Sequence, residues 1–135
     1  MEIETRIRES FDRQSMMKTL GARLVAVAPG AVEIDAAITP DLSQQHGFAH
    51  AALAFAIGDS AAGYSALTVM PEDREVVTSE MKIHLLAPAR GDRLIARGRV
   101  VKPGRRLVIV TADVFAVEGG VETHAALLTG TMVPV

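Results

Sequence analysis

The 135 residues include no cysteine, so neither a disulfide nor a thiolate metal ligand is available. An excess of charge of one sign is also missing. Fourteen Lys and Arg stand against 16 Asp and Glu, a formal net charge of −2 that offers no general attraction to nucleic acid or anionic lipid. No nucleic-acid partner and no membrane partner is expected. His46, His50, His84 and His124 have no carboxylate at ligand spacing, and no metal is expected. The opening MEIETRIRESFDRQ lacks the apolar core of a signal peptide, which makes the cytoplasm the expected location. No phosphate-binding glycine loop occurs; the glycines are turn residues. The one apolar run long enough to raise a membrane span, Ala51 to Met70, carries Asp59 at its centre. Inserting a charge there costs roughly 2.5 to 3.5 kcal/mol, which Ala and Gly do little to offset.

What is present fits one domain over 1–135, since the chain can build a real core but not two. Ile3, Ile7, Phe11 and Met16 or Met17 recur at near-helical spacing and predict an N-terminal helix over 1–18, packed across an edge or end of the domain. RLVAVAPGAVEIDAAI reads as two strands turning at Pro29-Gly30. From Arg74 onward the alternation is that of four strands, divided near Pro88, Pro103-Gly104 and Gly119-Gly120, whose short turns make successive strands antiparallel neighbours. Between the two β regions lies QQHGFAHAALAFAIGDSAAGYSA, a polar turn followed by a helix of small apolar residues expected over 49–68. Such a helix lets neighbouring backbone approach on nearly every side. The economical architecture is α+β: a long central helix wrapped by a curved antiparallel sheet of five or six strands.

Asp59 stands out inside that helix, because an ionised carboxylate among packed apolar groups costs several kcal/mol unless it is paired. It is either a structural Asp held by hydroxyls such as those of Ser60 or Tyr64, or a general base or nucleophile. Ala51, at the helix start, is eight residues away, about 12 Å along the axis. The two cannot meet on one substrate atom within a chain. Two antiparallel copies of the helix would bring the N-terminus of one, an acceptor for a developing oxyanion, to the Asp of the other. A dimer with sites between subunits is therefore expected.

Gln44, Gly47, His50 and Asp59, in the pattern Q-x-x-G-x-x-H-A-A-x-x-x-x-x-x-D, resemble the N-x-x-G-x-x-H-G-G-x-x-x-x-x-x-D signature of the PaaI-type acyl-CoA thioesterases of the hotdog superfamily. Gln44, or Gln45 after a one-residue shift, stands for the usual Asn, and Ala51-Ala52 for Gly-Gly. The later LLAPARGD is similar to the family's strand-turn pattern. The resemblance implies a hotdog fold, hydrolysis of acyl-CoA to free acid and CoA, no cofactor beyond the CoA of the substrate, and a homodimer or homotetramer. It assigns the carbonyl-polarising N–H to Ala51, water activation or attack to Asp59, thioester or water contact to Gln44, water orientation to Thr78, and a supporting place to His50. Ser79 is the alternative to Thr78 if the strand register slips by one. Gly47 is the backbone device of the turn. Phe48, Leu53, Phe55 and Met81 are expected along an acyl tunnel, and Arg90, Arg105 and Arg106, at strand ends, are candidates for the CoA phosphates.

Two other readings remain open. A non-catalytic acyl-CoA or lipid-binding module would keep the tunnel but have little use for the acid. A hotdog hydratase would use His50 with an acid, yet its D-x-N-P-I-H motif is absent and His50 and Asp59, nine residues apart, lie on opposite helix faces.

Overall fold

Nothing between His50 and Thr68 interrupts a helix, and in a computed structural model describing residues 1–135 the central helix α3 runs Ala51–Leu67. Around it are α1 (Ile3–Arg13), α2 (Ser15–Leu20) and six strands. These are β1 (Arg23–Ala28), β2 (Ala31–Ala37), β3 (Val76–Leu85), β4 (Arg93–Pro103), β5 (Val108–Glu118) and β6 (Val121–Pro134). They form one sheet in the order β1-β2-β4-β5-β6-β3, every neighbour antiparallel. This is the α+β hotdog arrangement.

Small residues set how closely α3 lies on the sheet. Gly98 of β4 sits under the helix so tightly that a Cβ there would stand 2.5 Å from the carbonyl carbon and oxygen of Ala61. Ile57, Ala61, Ala62 and Ala66 are fully buried against Leu94, Ala96, Val114 and Leu128. The helix is not covered all round, as its composition suggests. One stripe stays open: Ala51, Ala52 and Phe55 are exposed, Ala56, Asp59 and Ser60 half-buried. These positions recur at helical spacing along one face.

Three features depart from the sequence reading. The N-terminal helix breaks at Gln14, which leaves helical geometry (φ −83°, ψ 95°) and divides it into α1 and α2. β3 and β4, consecutive in sequence, are not neighbours; β3 pairs only with β6, at the sheet edge, and Leu86–Asp92 carries the chain across to the centre. That crossover passes the start of α3, where Ala49 N–H donates to Ala89 C=O at 2.9 Å. Finally, β3 has a bulge between Thr78 and Glu80. It reverses the alternation, so that Thr78 before it and Met81 and Ile83 after it all face the helix.

The far end of α3 is tied by a residue with no local signal. Arg6 donates to the carbonyls of Leu67 (3.2 Å), Met70 (3.0 Å), Pro71 (2.7 Å) and Arg74 (2.7 Å). A cation on the last carbonyls of a helix also opposes its dipole. No helix of the structure is long and apolar enough to cross a membrane.

Candidate active site

The loop entering α3 is built around Gln44. Its backbone N–H donates to Phe48 C=O at 2.8 Å and its C=O accepts from Gly47 N–H at 3.0 Å, Gly47 having the positive φ (86°) the turn requires. Gln44 Oε1 accepts from the backbone N–H of His46 and of Phe48, leaving its NH2 without a protein partner. His50 is the N-cap: extended (φ −62°, ψ 142°), with Nδ1 accepting from Ala52 N–H at 2.9 Å. Leu53 N–H donates to His50 C=O at 2.9 Å. Of the first three amides of α3, only that of Ala51 has no acceptor. It is an aligned donor at the positive end of a long helix.

A cavity of about 590 Å³ opens here, its walls mostly apolar and including Gln44, Phe48, Ala51, Leu86 and Pro88. Truncating the cap, His50→Ala, is expected to destabilise the protein by about 1 kcal/mol; chemical denaturation measures it.

Two turns further along, Asp59 faces β3. Thr78 Oγ1 donates to Asp59 Oδ1 at 2.7 Å, and Oδ2 has no donor in the chain. Burial pushes the Asp59 carboxyl above its ordinary value; the Thr78 hydrogen bond pulls the other way and is the smaller effect. Ser60 and Tyr64 do not hold Asp59. Ser60 Oγ donates to Gln14 Oε1 at 3.2 Å, and Tyr64 Oη accepts from Ser10 Oγ (3.2 Å) and Gln14 Nε2 (3.0 Å). Asp59, Thr78, Gln14 and Tyr64 share a second cavity of about 230 Å³.

The candidate residues thus fall into two separate groups within a chain. Gln44, Gly47, Phe48, His50 and Ala51 lie at the helix start, and Asp59 and Thr78 lie mid-helix. Gln45 is exposed and lines neither cavity, and Ser79 is the exposed residue of the bulge. The expected tunnel residues do not share a cavity: Phe48 lines the first, Leu53 a third beside α2, Phe55 and Met81 none of these. The three arginines also part. Arg90 lies 5.5 Å over the Phe48 ring, whereas Arg105 and Arg106 join Arg74 and Pro134 around a depression of about 450 Å³ at the opposite end of the sheet. Sequence reasoning missed Gln14 and Arg74, and it named Tyr64 only as a possible partner of Asp59. Tyr64 had a signal, a lone tyrosine on a small-residue helix.

Comparison with known proteins agrees with this fold. A family model described as the thioesterase superfamily matches residues 46–123. The chain is 42% identical to a thioesterase family protein from Silicibacter pomeroyi, with a TM-score of 0.97 over 99% of this chain and 98% of that one. The Escherichia coli PaaI protein from the phenylacetic acid degradation operon shares the fold, with a TM-score of 0.85 at 19% identity over 98% of this chain and 93% of that one. A curated relative from Saccharolobus solfataricus, named "Putative esterase SSO1253", is 26% identical over 94% of this chain and 82% of its own length. The chain belongs to the thioesterase superfamily.

Proposed function

We propose that the protein hydrolyses acyl-CoA thioesters in sites formed between two subunits. One observation carries the reading: the free Ala51 N–H and the half-buried Asp59 lie on the same uncovered stripe of α3, in cavities that one chain keeps apart. β3 supports the pairing. It is an edge strand of ten residues with Val77 and Leu85 exposed, beside exposed Leu86 and Phe55. A long unpaired edge is a template for another strand. Antiparallel pairing of two β3 edges sets the Val76 end of one against the Leu85 end of the other, bringing Asp59 and Thr78 toward the partner's helix start. It also brings Arg74, Arg105 and Arg106 beside the partner's Arg90, where a CoA phosphate finds guanidinium donors from both chains.

In this site the Ala51 amide polarises the thioester carbonyl, with the Gln44 NH2 beside it. Asp59 takes a proton from water held by Thr78, or attacks the carbonyl carbon itself and is freed by water in a second step. The C–S bond breaks; in the base route the proton that Asp59 took from water passes to the CoA thiolate, and in the nucleophilic route that proton comes from the water that hydrolyses the acyl-aspartyl anhydride. His50, with Nδ1 engaged by Ala52, orients the amide rather than acting as base.

A complementation experiment tests the pairing. Ala51→Pro deletes the N–H at the first helical position, where proline is tolerated, and His50 already has the extended backbone that a residue before proline needs. Ala51→Pro and Asp59→Asn homodimers are each expected to lose activity on acyl-CoA. A co-expressed heterodimer, purified by two tags, carries one doubly damaged and one intact site and recovers about half the native rate. No recovery would place both groups in one chain's site and overturn the reading.

A further inference from the structure

The cavity beside Asp59 has a far wall that hydrolysis does not need. Gln14, placed by the break between α1 and α2, turns its amide toward α3 and joins Ser10, Ser60 and Tyr64 in one hydrogen-bonded network. An amide carries two N–H donors and a phenol or alcohol hydroxyl one each. Here Gln14 Nε2 spends one N–H on Tyr64, Ser60 donates to Gln14, and Ser10 donates to Tyr64. One Gln14 N–H and the Tyr64 hydroxyl proton have no acceptor in the chain. The cavity wall therefore offers unspent donors beside unspent oxygen lone pairs, and both can serve a neutral hydroxyl.

Resting on the thioesterase reading, we infer that this wall is the acyl-recognition end of the site and selects short acyl groups bearing an uncharged oxygen, best a hydroxyl, at their far end. Position supports this: Tyr64 is five residues past Asp59, about 7.5 Å along the helix. Volume sets the length. At about 30 Å³ per water-sized group, 230 Å³ holds some seven or eight such groups, a six-carbon chain with its terminal oxygen rather than a long fatty acyl. Charge sets the kind of oxygen. The cavity is lined by Asp59 and Glu75 and by no Lys or Arg, so a carboxylate-ended acyl group meets like charge with no counter-ion. A hydroxyl accepts from the free donors and can return its own proton to the remaining lone pair of Gln14 Oε1.

The test compares hexanoyl-CoA with 6-hydroxyhexanoyl-CoA by thiol release, in the native protein, Gln14→Met and Tyr64→Phe. The native protein is expected to favour the hydroxylated substrate about tenfold in kcat/KM, as one well-placed hydrogen bond allows, and each variant to bring the ratio close to one. In parallel, the non-hydrolysable thioethers S-hexyl-CoA and S-(6-hydroxyhexyl)-CoA are titrated calorimetrically against the same three proteins. If no thioester is turned over, the hydrolase reading fails, yet tighter native binding of the hydroxylated thioether, lost in the variants, still establishes the recognition wall. Equal native affinity for the two thioethers, or an unchanged ratio in both variants, overturns it.

Discussion

Asp59→Asn is expected to lower kcat/KM for acyl-CoA hydrolysis by at least about a hundredfold, the lower range of what a positioned base contributes. Thiol release measures it, and a variant as active as the native protein would remove Asp59 from the chemistry. The change is nearly isosteric and leaves the Thr78 Oγ1 donor an oxygen to bond. Stability is expected to move the other way. Burial raises the Asp59 carboxyl above its ordinary value, so the folded protein holds that proton more tightly than the unfolded chain does. The contribution is therefore fully favourable below the ordinary carboxylate range and is lost as pH rises through the raised value. At neutral pH the ionised group costs stability, and Asp59→Asn should melt higher than the native protein. The difference should shrink as the solution is acidified, while native activity falls over the same interval because a base must be ionised.

Gly98→Ala should be among the most damaging single-methyl additions to the fold. Its Cβ would meet backbone atoms of Ala61 and Ala62 at 2.5 to 2.7 Å, which no side-chain rotation relieves. Overpacking typically costs 1 to 3 kcal/mol, and a clash with rigid backbone belongs at the upper end, about 3 kcal/mol. In a chain of this size that lowers the midpoint of thermal unfolding by roughly 10 °C. Gly63→Ala is the control, since its nearest neighbour would be Met132 Cε at 3.7 Å, an ordinary contact. A helical Gly→Ala without a clash should be neutral or stabilise by up to about 1 kcal/mol. Equal effects of the two changes would mean that the close approach of α3 to β4 does not limit what position 98 can hold.

The central helix and most of the strand alternation were legible because both follow from local periodicity, whereas the Gln44-to-Asp59 motif was read only through its resemblance to a family signature. What the sequence hid is non-local. Gln14 sits in a run whose helical spacing continues past it, and only contacts with Ser60 and Tyr64, 46 and 50 residues away, account for the side chain's direction. The bulge at Ser79 was illegible for a similar reason: a single extra residue changes the face of everything before it, and partner pairing alone fixes where it falls. The crossing of β3 to the far edge could not be read either, since Leu86–Asp92 has the length of a long turn. One grouping could have been corrected from topology. Successive turns of a meander lie at alternate ends of a sheet, so Arg90, before β4, and Arg105 and Arg106, after it, cannot be neighbours in one chain.

Arg6 implies an order of events during synthesis. Its four carbonyl acceptors lie 61 to 68 residues further along the chain. A ribosome adding about 5 to 20 residues per second delivers them roughly 3 to 14 s after Arg6 itself. Through that delay α1 has β1 and α2 to pack against but lacks its anchor at the end of α3, so the cover that buries Ile7 and Phe11 in the finished protein is incomplete. Docking of α1 onto the end of α3 is accordingly a late event, and the same docking brings Ser10 and Gln14 to Tyr64.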